Sequence, residues 1–320
     1  MVPHPRFVRC LLSHSFLGFL VLVVGCSDKS ATPLGPVDGS AFPRRSPGAM
    51  AAGSATQAAG FYPLSVGNRW HYTRVFVLNY GGYGDTIQSS IDVVNIGSET
   101  WGDRAYLVEE ETTTQDSRPG EVFRWWTRYR QDRNGLYYRN VCACEPPALD
   151  QGLPASAPDL ATMGASADEG KDAVLANTFT PEELEIVLRG RAKLIARIEA
   201  MRREVLLLPD RSVRSTQGLE DNEPDEVALL HYPLHVGRSW QVRPGLDLFW
   251  TVEGVDMLTT PAGKFPAFEI DVSIPLASPG DFAKVWIGRA GRLAYRIHAD
   301  VGGGFTGDET EVVDYLSISR

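Results

Sequence analysis

Acidic residues are missing from the first 27 positions; the first is Asp28, and Arg6 and Arg9 precede it. Tryptophan and tyrosine are missing from residues 142–226, although the chain holds 7 and 11 of them. Only 4 cysteines occur among 320 residues, too few for a disulfide-stapled scaffold. Long apolar runs are also lacking. Phe16–Val24 has nine residues, short of a comfortable membrane span, and a multi-span membrane protein is excluded. Basic charge is in deficit: 31 Lys+Arg against 40 Asp+Glu give −9, so no nucleic-acid partner is expected. No nucleophile elbow, phosphate loop or zinc-protease pattern occurs, which removes the usual starting points for an enzyme and leaves no expected cofactor. At 43% hydrophobic and 22% charged, the composition is that of a folded globular protein.

What is present at the start reads as an address. A basic opening, the apolar run and the small Gly25 before Cys26 have the layout of a secretory signal over residues 1–25. The stretch Val23-Val24-Gly25-Cys26 resembles the lipobox of bacterial lipoproteins. That resemblance implies cleavage before Cys26 and acylation of its side chain and new N-terminus. Ser27, rather than Asp, follows the cysteine, which by the same resemblance favours the outer membrane. Cleavage would remove two Arg and no acid, leaving 29 − 40 = −11. Residues 26–60 are then rich in Ser, Ala, Gly and Pro and cannot bury enough surface to fold. They read as a tether with a typical end-to-end distance of about 30 Å.

One motif occurs twice. Phe61-Tyr62-Pro63-Leu64-Ser65-Val66-Gly67-Asn68-Arg69-Trp70 recurs as His231-Tyr232-Pro233-Leu234-His235-Val236-Gly237-Arg238-Ser239-Trp240. A weaker echo links Gly135-Leu136-Tyr137-Tyr138-Arg139 with Gly291-Arg292-Leu293-Ala294-Tyr295-Arg296. Two related β units, 61–141 and 227–320, account for both echoes. Phe268, Ile270, Val272 and Ile274 alternate with polar or small residues, the period of a half-buried strand. Thr260-Pro261-Ala262-Gly263 has turn chemistry and makes 249–259 and 265–274 a hairpin. Residues 121–130 and 136–141 form another, 293–297 follows a turn at 288–291, and 310–319 closes the sheet. Pro63 and Gly67 place the motif at a strand entrance, where Tyr62, Leu64 and Trp70 are expected to pack against one end of the core rather than bind a ligand. The fold class is therefore mainly β: a curved antiparallel sheet from two related units, with one amphipathic helix in an insertion.

That insertion, 142–226, carries 17 acids and 9 bases. Its one element is a helix over about 181–207, with Thr180 and Glu183 forming a capping box around Pro181. Leu184, Val187, Leu188, Leu194, Ile195, Ile198, Met201 and Val205 recur at three- and four-residue spacing. Its five acids nearly balance its six bases, so docking onto the β core is favoured over lying on a membrane.

Candidate chemistry is sparse. Cys142 and Cys144 are the remaining thiols after processing; they suit a strained, labile disulfide, a redox pair or a link to another chain. No further ligands at suitable spacing support a metal site. His231 and His235 are separated by Pro233 on extended chain and do not share a helix face. His71 and His298 read as half-buried strand residues. Asp132-Arg133-Asn134-Gly135 lacks the later carboxylates of a calcium loop, and Gly302–Gly304 lacks the lysine and helix of a phosphate cradle. Glu109-Glu110-Glu111 reads as a solvated strand edge.

The order of these features is similar to that of a group of bacterial lipoproteins. They share a lipobox, a Tyr-Pro-Leu-x-Val-Gly-x-x-Trp entrance, a Thr-Pro-Ala-Gly-x-Phe hairpin and a late Trp-x-x-x-x-Gly strand pair. Here these are Tyr62–Trp70 with Tyr232–Trp240, Thr260–Phe265 and Trp286–Gly291. The group is loosely similar to lipoprotein carriers with a curved sheet, and the resemblance brings no catalytic residues. It implies a non-enzymatic envelope lipoprotein of the outer membrane, facing the periplasm or the cell surface, with a binding or structural role. The expected partners are the membrane, through Cys26, and an envelope protein or an apolar ligand. A carrier of an acyl chain, with the helix as lid, is the alternative, and a hydrolase or metal enzyme a more distant one.

Overall fold

The computed structural model describes residues 61–80, 82–116, 118–139, 147–152, 179–206, 226–242, 247–274 and 278–318. In chain order its elements are β1 Arg69–Tyr80, β2 Tyr83–Trp101, β3 Arg104–Gln115, β4 Arg118–Gln131, β5 Gly135–Arg139, β6 Gln151–Gly152, α1 Pro181–Leu206, β7 Glu226–His231, β8 Ser239–Gln241, β9 Phe249–Thr260, β10 Gly263–Ser273, β11 Phe282–Gly288, β12 Gly291–Asp300 and β13 Phe305–Ser317. The leader and the tether lie outside the described residues.

All these strands belong to one sheet in the order β7-β5-β4-β3-β2-β1-β13-β12-β11-β10-β9-β8, with β6 paired to β2. Its two ends, β7 and β8, are consecutive in sequence, so the antiparallel sheet curls into a nearly closed barrel. The long seam is the β1–β13 ladder, paired from Arg69 opposite Ser317 to Tyr80 opposite Phe305 with one register shift between His71 and Tyr72. The strand after the insertion, β7, pairs with β5, just as β13 pairs with β12. The insertion thus leaves the sheet where the other half of the chain makes its short turn at 301–304.

The two copies of the motif adopt the same backbone hydrogen bonding. Gly67 N–H donates to Asn95 O on β2, and Gly237 N–H donates to Val252 O on β9, each at 2.8 Å. In return Asn95 N–H donates to Asn68 O at 3.0 Å and Val252 N–H to Arg238 O at 2.9 Å. Both glycines hold φ near +85° (88° and 83°), the left-handed region that a side chain disfavours. Tyr62, Trp70, Tyr232, Leu234 and Trp240 are buried, and Trp70 Nε1 donates to Ala290 O, in the turn between β11 and β12, at 2.7 Å.

Helix α1 starts as its capping residues dictate. Thr180 N–H donates to Glu183 Oε2 at 3.0 Å, and Glu183 N–H donates to Thr180 Oγ1 at 3.3 Å. Its apolar stripe, Val187, Leu194, Ile198, Met201 and Val205, is buried with Phe76, Leu78, Ile297, Ala299 and Phe305 of the sheet. Burying each such side chain contributes about 1.5–3 kcal/mol. Two glycines set the approach: a Cβ on Gly190 would lie 2.3 Å from the Phe305 ring, and one on Gly307 3.2 Å from Leu194. The helix docks on the β core and fills the side of the sheet that carries Phe76 and Leu78. Among the described residues, no helix is long and apolar enough to cross a membrane.

Candidate functional site

The buried side chains of β1 run Trp70, Tyr72, Arg74, Phe76, Leu78, Tyr80. An arginine in the middle of that row demands partners, because an isolated buried charge costs several kcal/mol. The seam register supplies them: Arg74 stands opposite Glu311, and Phe76 opposite Glu309. Arg74 Nε and Nη2 donate to Glu311 Oε2 at 3.1 and 2.8 Å. Arg74 Nη2 also lies 3.8 Å from Glu111 Oε1 on β3, and Arg292 Nη2 lies 2.8 Å from Glu311 Oε1. From the helix, Arg202 grips Glu309 with Nε 2.6 Å from Oε1 and Nη2 on Oε2, and Tyr295 O–H donates to the same carboxylate at 2.5 Å. Both Glu309 and Glu311 are 0% exposed.

The result is a belt of charge through the core. It separates an apolar cluster around Trp70, Tyr72, Ile91, Val93 and Val313 from the larger one that holds α1. Burial alone would raise the Glu309 carboxyl, but Arg202 and Arg74 hold it below the ordinary range. Burial raises Glu111, with Glu311 adding to it and Arg292 and Arg74 opposing. Burial also pushes Glu109 up to about 7, against the pull of Arg292 and with repulsion from Glu111. Glu109 has no hydrogen-bond or ion-pair partner among the described residues. Asn95 Oδ1, on the residue opposite it in the β2–β3 ladder, is buried and accepts no hydrogen bond.

Two further contacts tie α1 to the sheet. Arg197 donates to Asp281 Oδ2 at 2.8 Å and Arg191 to Asp85 Oδ2 at 3.4 Å. Asp281 also accepts from the backbone N–H of Asp300 and Ser278. Away from the belt, Glu226 at the start of β7 gathers Arg104, Arg130 and the Tyr106 hydroxyl, closing that end of the sheet. Arg128 pairs with Glu99 at 3.0 Å.

The structure corrects one expectation. The run Glu109–Glu111 is not a solvated edge, because β3 lies inside the sheet between β2 and β4. Its alternation does hold: Glu109 and Glu111 are buried, while Glu110 accepts from Trp126 Nε1 at 2.9 Å. The motif aromatics pack, as anticipated. His231 sits against Trp240, ring centroids 5.8 Å apart, and burial lowers its pKa; His235 is exposed. His71 bonds Asp92 at 2.8 Å, and His298 lies 3.1 Å from Asp308 and stacks on Phe282; both are half-buried. Asp132 Oδ1 accepts from the N–H of Asn134 and Gly135, which is turn chemistry. Among the described residues, no group of three metal-ligating side chains converges. Cys26, Cys142 and Cys144 lie outside the described residues. The belt itself was missed in the sequence; its signal was the run Glu309-Thr310-Glu311, an acid pair on one face of a strand whose other face is also polar.

No family model matches the chain, and no curated protein matches it. Among solved structures, one similar chain is from Bacteroides fragilis, provisionally described as an exported protein with a YmcC-like fold. It is 11% identical, with a TM-score of 0.35, and the match covers 81% of this chain and 99% of that one. Another, from Parabacteroides distasonis and provisionally described as a lipoprotein, is 12% identical with a TM-score of 0.33, over 82% and 100% of the two chains. Likeness at that level carries no weight for function.

Proposed function

We propose that this chain is a cell-envelope lipoprotein, anchored in the outer membrane through acylated Cys26, whose β body has a non-enzymatic binding or structural role. The observation that carries the reading is Cys26 itself, standing after Gly25 at the end of the Phe16–Val24 run and before a tether-like stretch. The belt supports a structural use of its charges: Arg74, Arg202 and Arg292 are engaged with Glu309 and Glu311, and the helix covers the apolar surface around Phe76, Leu78, Ile297 and Phe305. Growth with an alkynyl fatty acid tests the anchor. The wild-type chain is labelled and fractionates with the outer membrane; Cys26→Ala loses both label and membrane. Label retained without Cys26 overturns the anchor. In-cell crosslinking from the barrel surface, followed by identification of a stoichiometric envelope partner or glycan, tests the role; no specific adduct under several growth conditions counts against it.

A second reading is a carrier of an acyl chain or other apolar ligand. It is favoured by one observation: the surface covered by α1, with Phe76, Leu78, Ile297 and Phe305, is apolar and of a kind that would accept a lipid chain if the helix withdrew. In that case the helix is a lid, and ligand is found in its place.

A further inference from the structure

Four glutamates, Glu109, Glu111, Glu309 and Glu311, share the belt with three arginines, Arg74, Arg202 and Arg292. Glu309 and Glu311 engage all three arginines closely, and Glu111 reaches Arg74 at 3.8 Å. Glu109 is left over, 8% exposed. Its cross-strand neighbours on the same face are Asn95 on β2 and Thr127 on β4. Asn95 is 0% exposed and its Oδ1 lacks a donor. Ionised, Glu109 sets a second acceptor opposite that amide oxygen across the β2–β3 ladder, and one added proton supplies the missing donor.

We infer that Glu109 is a proton-binding site: its protonated carboxyl donates to Asn95 Oδ1, and release of that proton to solvent loosens the turn through Pro63–Asn68. The route is Asn95, which holds that turn on every side. Its Nδ2 donates to Pro63 O at 3.3 Å and Ser65 O at 3.1 Å. Its backbone oxygen accepts from Gly67, and its N–H donates to Asn68 O. The charged and titratable groups that act on Glu109 are Arg292 from β12 and Glu111 from its own strand. The hydroxyls of Tyr62, Tyr72 and Tyr129 also feel it, and all three stay protonated because burial raises them. Arg292 favours the anion but is shared with Glu311, whereas burial and Glu111 favour the acid. The motif turn, where the tether joins the barrel, is thereby linked to the pH of the compartment.

The sign follows from linkage. A carboxyl raised in the folded state from 4.5 to about 7 adds stability that is complete below 4.5 and is lost as pH rises through about 7. For openings of the turn that expose Glu109, exchange protection should fall by about tenfold per pH unit within that window, after correction for intrinsic rates. The test is amide hydrogen exchange at Gly67 and Asn95 in the full lipidated chain, at pH 5 and 7.5, in wild type and Glu109→Gln. The glutamine keeps a donor for Asn95 Oδ1 and cannot titrate, so its protection should not change with pH. Equal pH dependence in both proteins, or none in the wild type, overturns the inference. Should Glu109→Gln fail to fold, infrared difference spectra of the wild type decide: a buried protonated-carboxyl band present at pH 5 and gone by pH 8 supports the site, and its absence at pH 5 refutes it.

Discussion

Arg202, near the end of α1, and Glu309, on β13, form a buried ion pair that couples the helix to the barrel. The glutamate is 0% exposed and is held by Arg202, Arg74 and Tyr295 together. A pair of this kind is strongly asymmetric under mutation, because removing one partner strands the other in the core. Arg202→Met should lower the stability to urea by about 3 kcal/mol, while the double variant Arg202→Met/Glu309→Leu should recover part of the loss. Equal additive losses would mean that the two side chains do not act as a pair.

The glycines under the helix give a graded prediction. Gly190→Ala places a methyl 2.3 Å from a Phe305 ring that is itself stacked on Tyr80, so little can give way. Overpacking costs about 1–3 kcal/mol, against roughly 1 kcal/mol gained from helix propensity. At Gly307 the nearest side-chain atoms are 3.2 and 3.3 Å from the added carbon, from Leu194 and Phe76, and a shift of a few tenths of an ångström relieves them. Thermal melts should therefore place Gly190→Ala below wild type and Gly307→Ala between the two. The reverse order would contradict the packing of α1 against β13.

Equivalent positions of the motif should respond unequally. Asn68 Nδ2 and Arg238 Nη1 both donate at 2.7 Å to the carbonyl of their own motif proline. Asn68 is fully buried, however, and Arg238 is only half-buried, on a proline that is itself exposed. Asn68→Ala removes the shortest hydrogen bond to the Pro63 oxygen, which keeps the Ser65 N–H at 3.1 Å and Asn95 Nδ2 at 3.3 Å, and empties a fully buried position; it should cost about 1 kcal/mol. Arg238→Ala exposes its acceptor to water and should leave chemical denaturation nearly unchanged.

Asp281 predicts an acid limb. Burial would raise its carboxyl, but the N–H groups of Asp300 and Ser278 and the Arg197 guanidinium hold it below its ordinary value. A carboxyl lowered in the folded state adds stability that is present above the ordinary value of 3.8 and is lost as pH falls through the lower one. Asp281→Asn should cost about 2 kcal/mol at pH 7, the range for hydrogen bonds to a charged group. The deficit should shrink below pH 3.8, which urea midpoints at acid and neutral pH would show.

Most of the strands could be read from the sequence because their faces differ: Phe268, Ile270 and Val272 alternate with polar residues, and the β9–β10 hairpin turns where Pro261 and Gly263 place it. The helix was legible from Thr180, Glu183 and the spacing of its apolar residues. The belt was not. Its members pair across large separations, Arg74 with Glu311 at 237 positions, and no local pattern distinguishes a glutamate paired in the core from one in water. Glu109 shows the limit most clearly: within a run of three acids, only the position of β3 between β2 and β4 decides that it is buried. The place of β7 was hidden for a related reason, since six residues after a long insertion carry no mark of which half of the sheet they join.

The central claim is that the chain's own helix covers the apolar surface around Phe76, Leu78, Ile297 and Phe305, and that the chain works as an anchored binding or structural body. Native mass spectrometry of the intact lipidated chain, released gently from detergent, tests it most directly. The account predicts the mass of the acylated polypeptide with no further apolar guest. A lipid or other apolar molecule that is retained under native conditions and lost on denaturation would contradict it, and would make α1 the lid of a carrier.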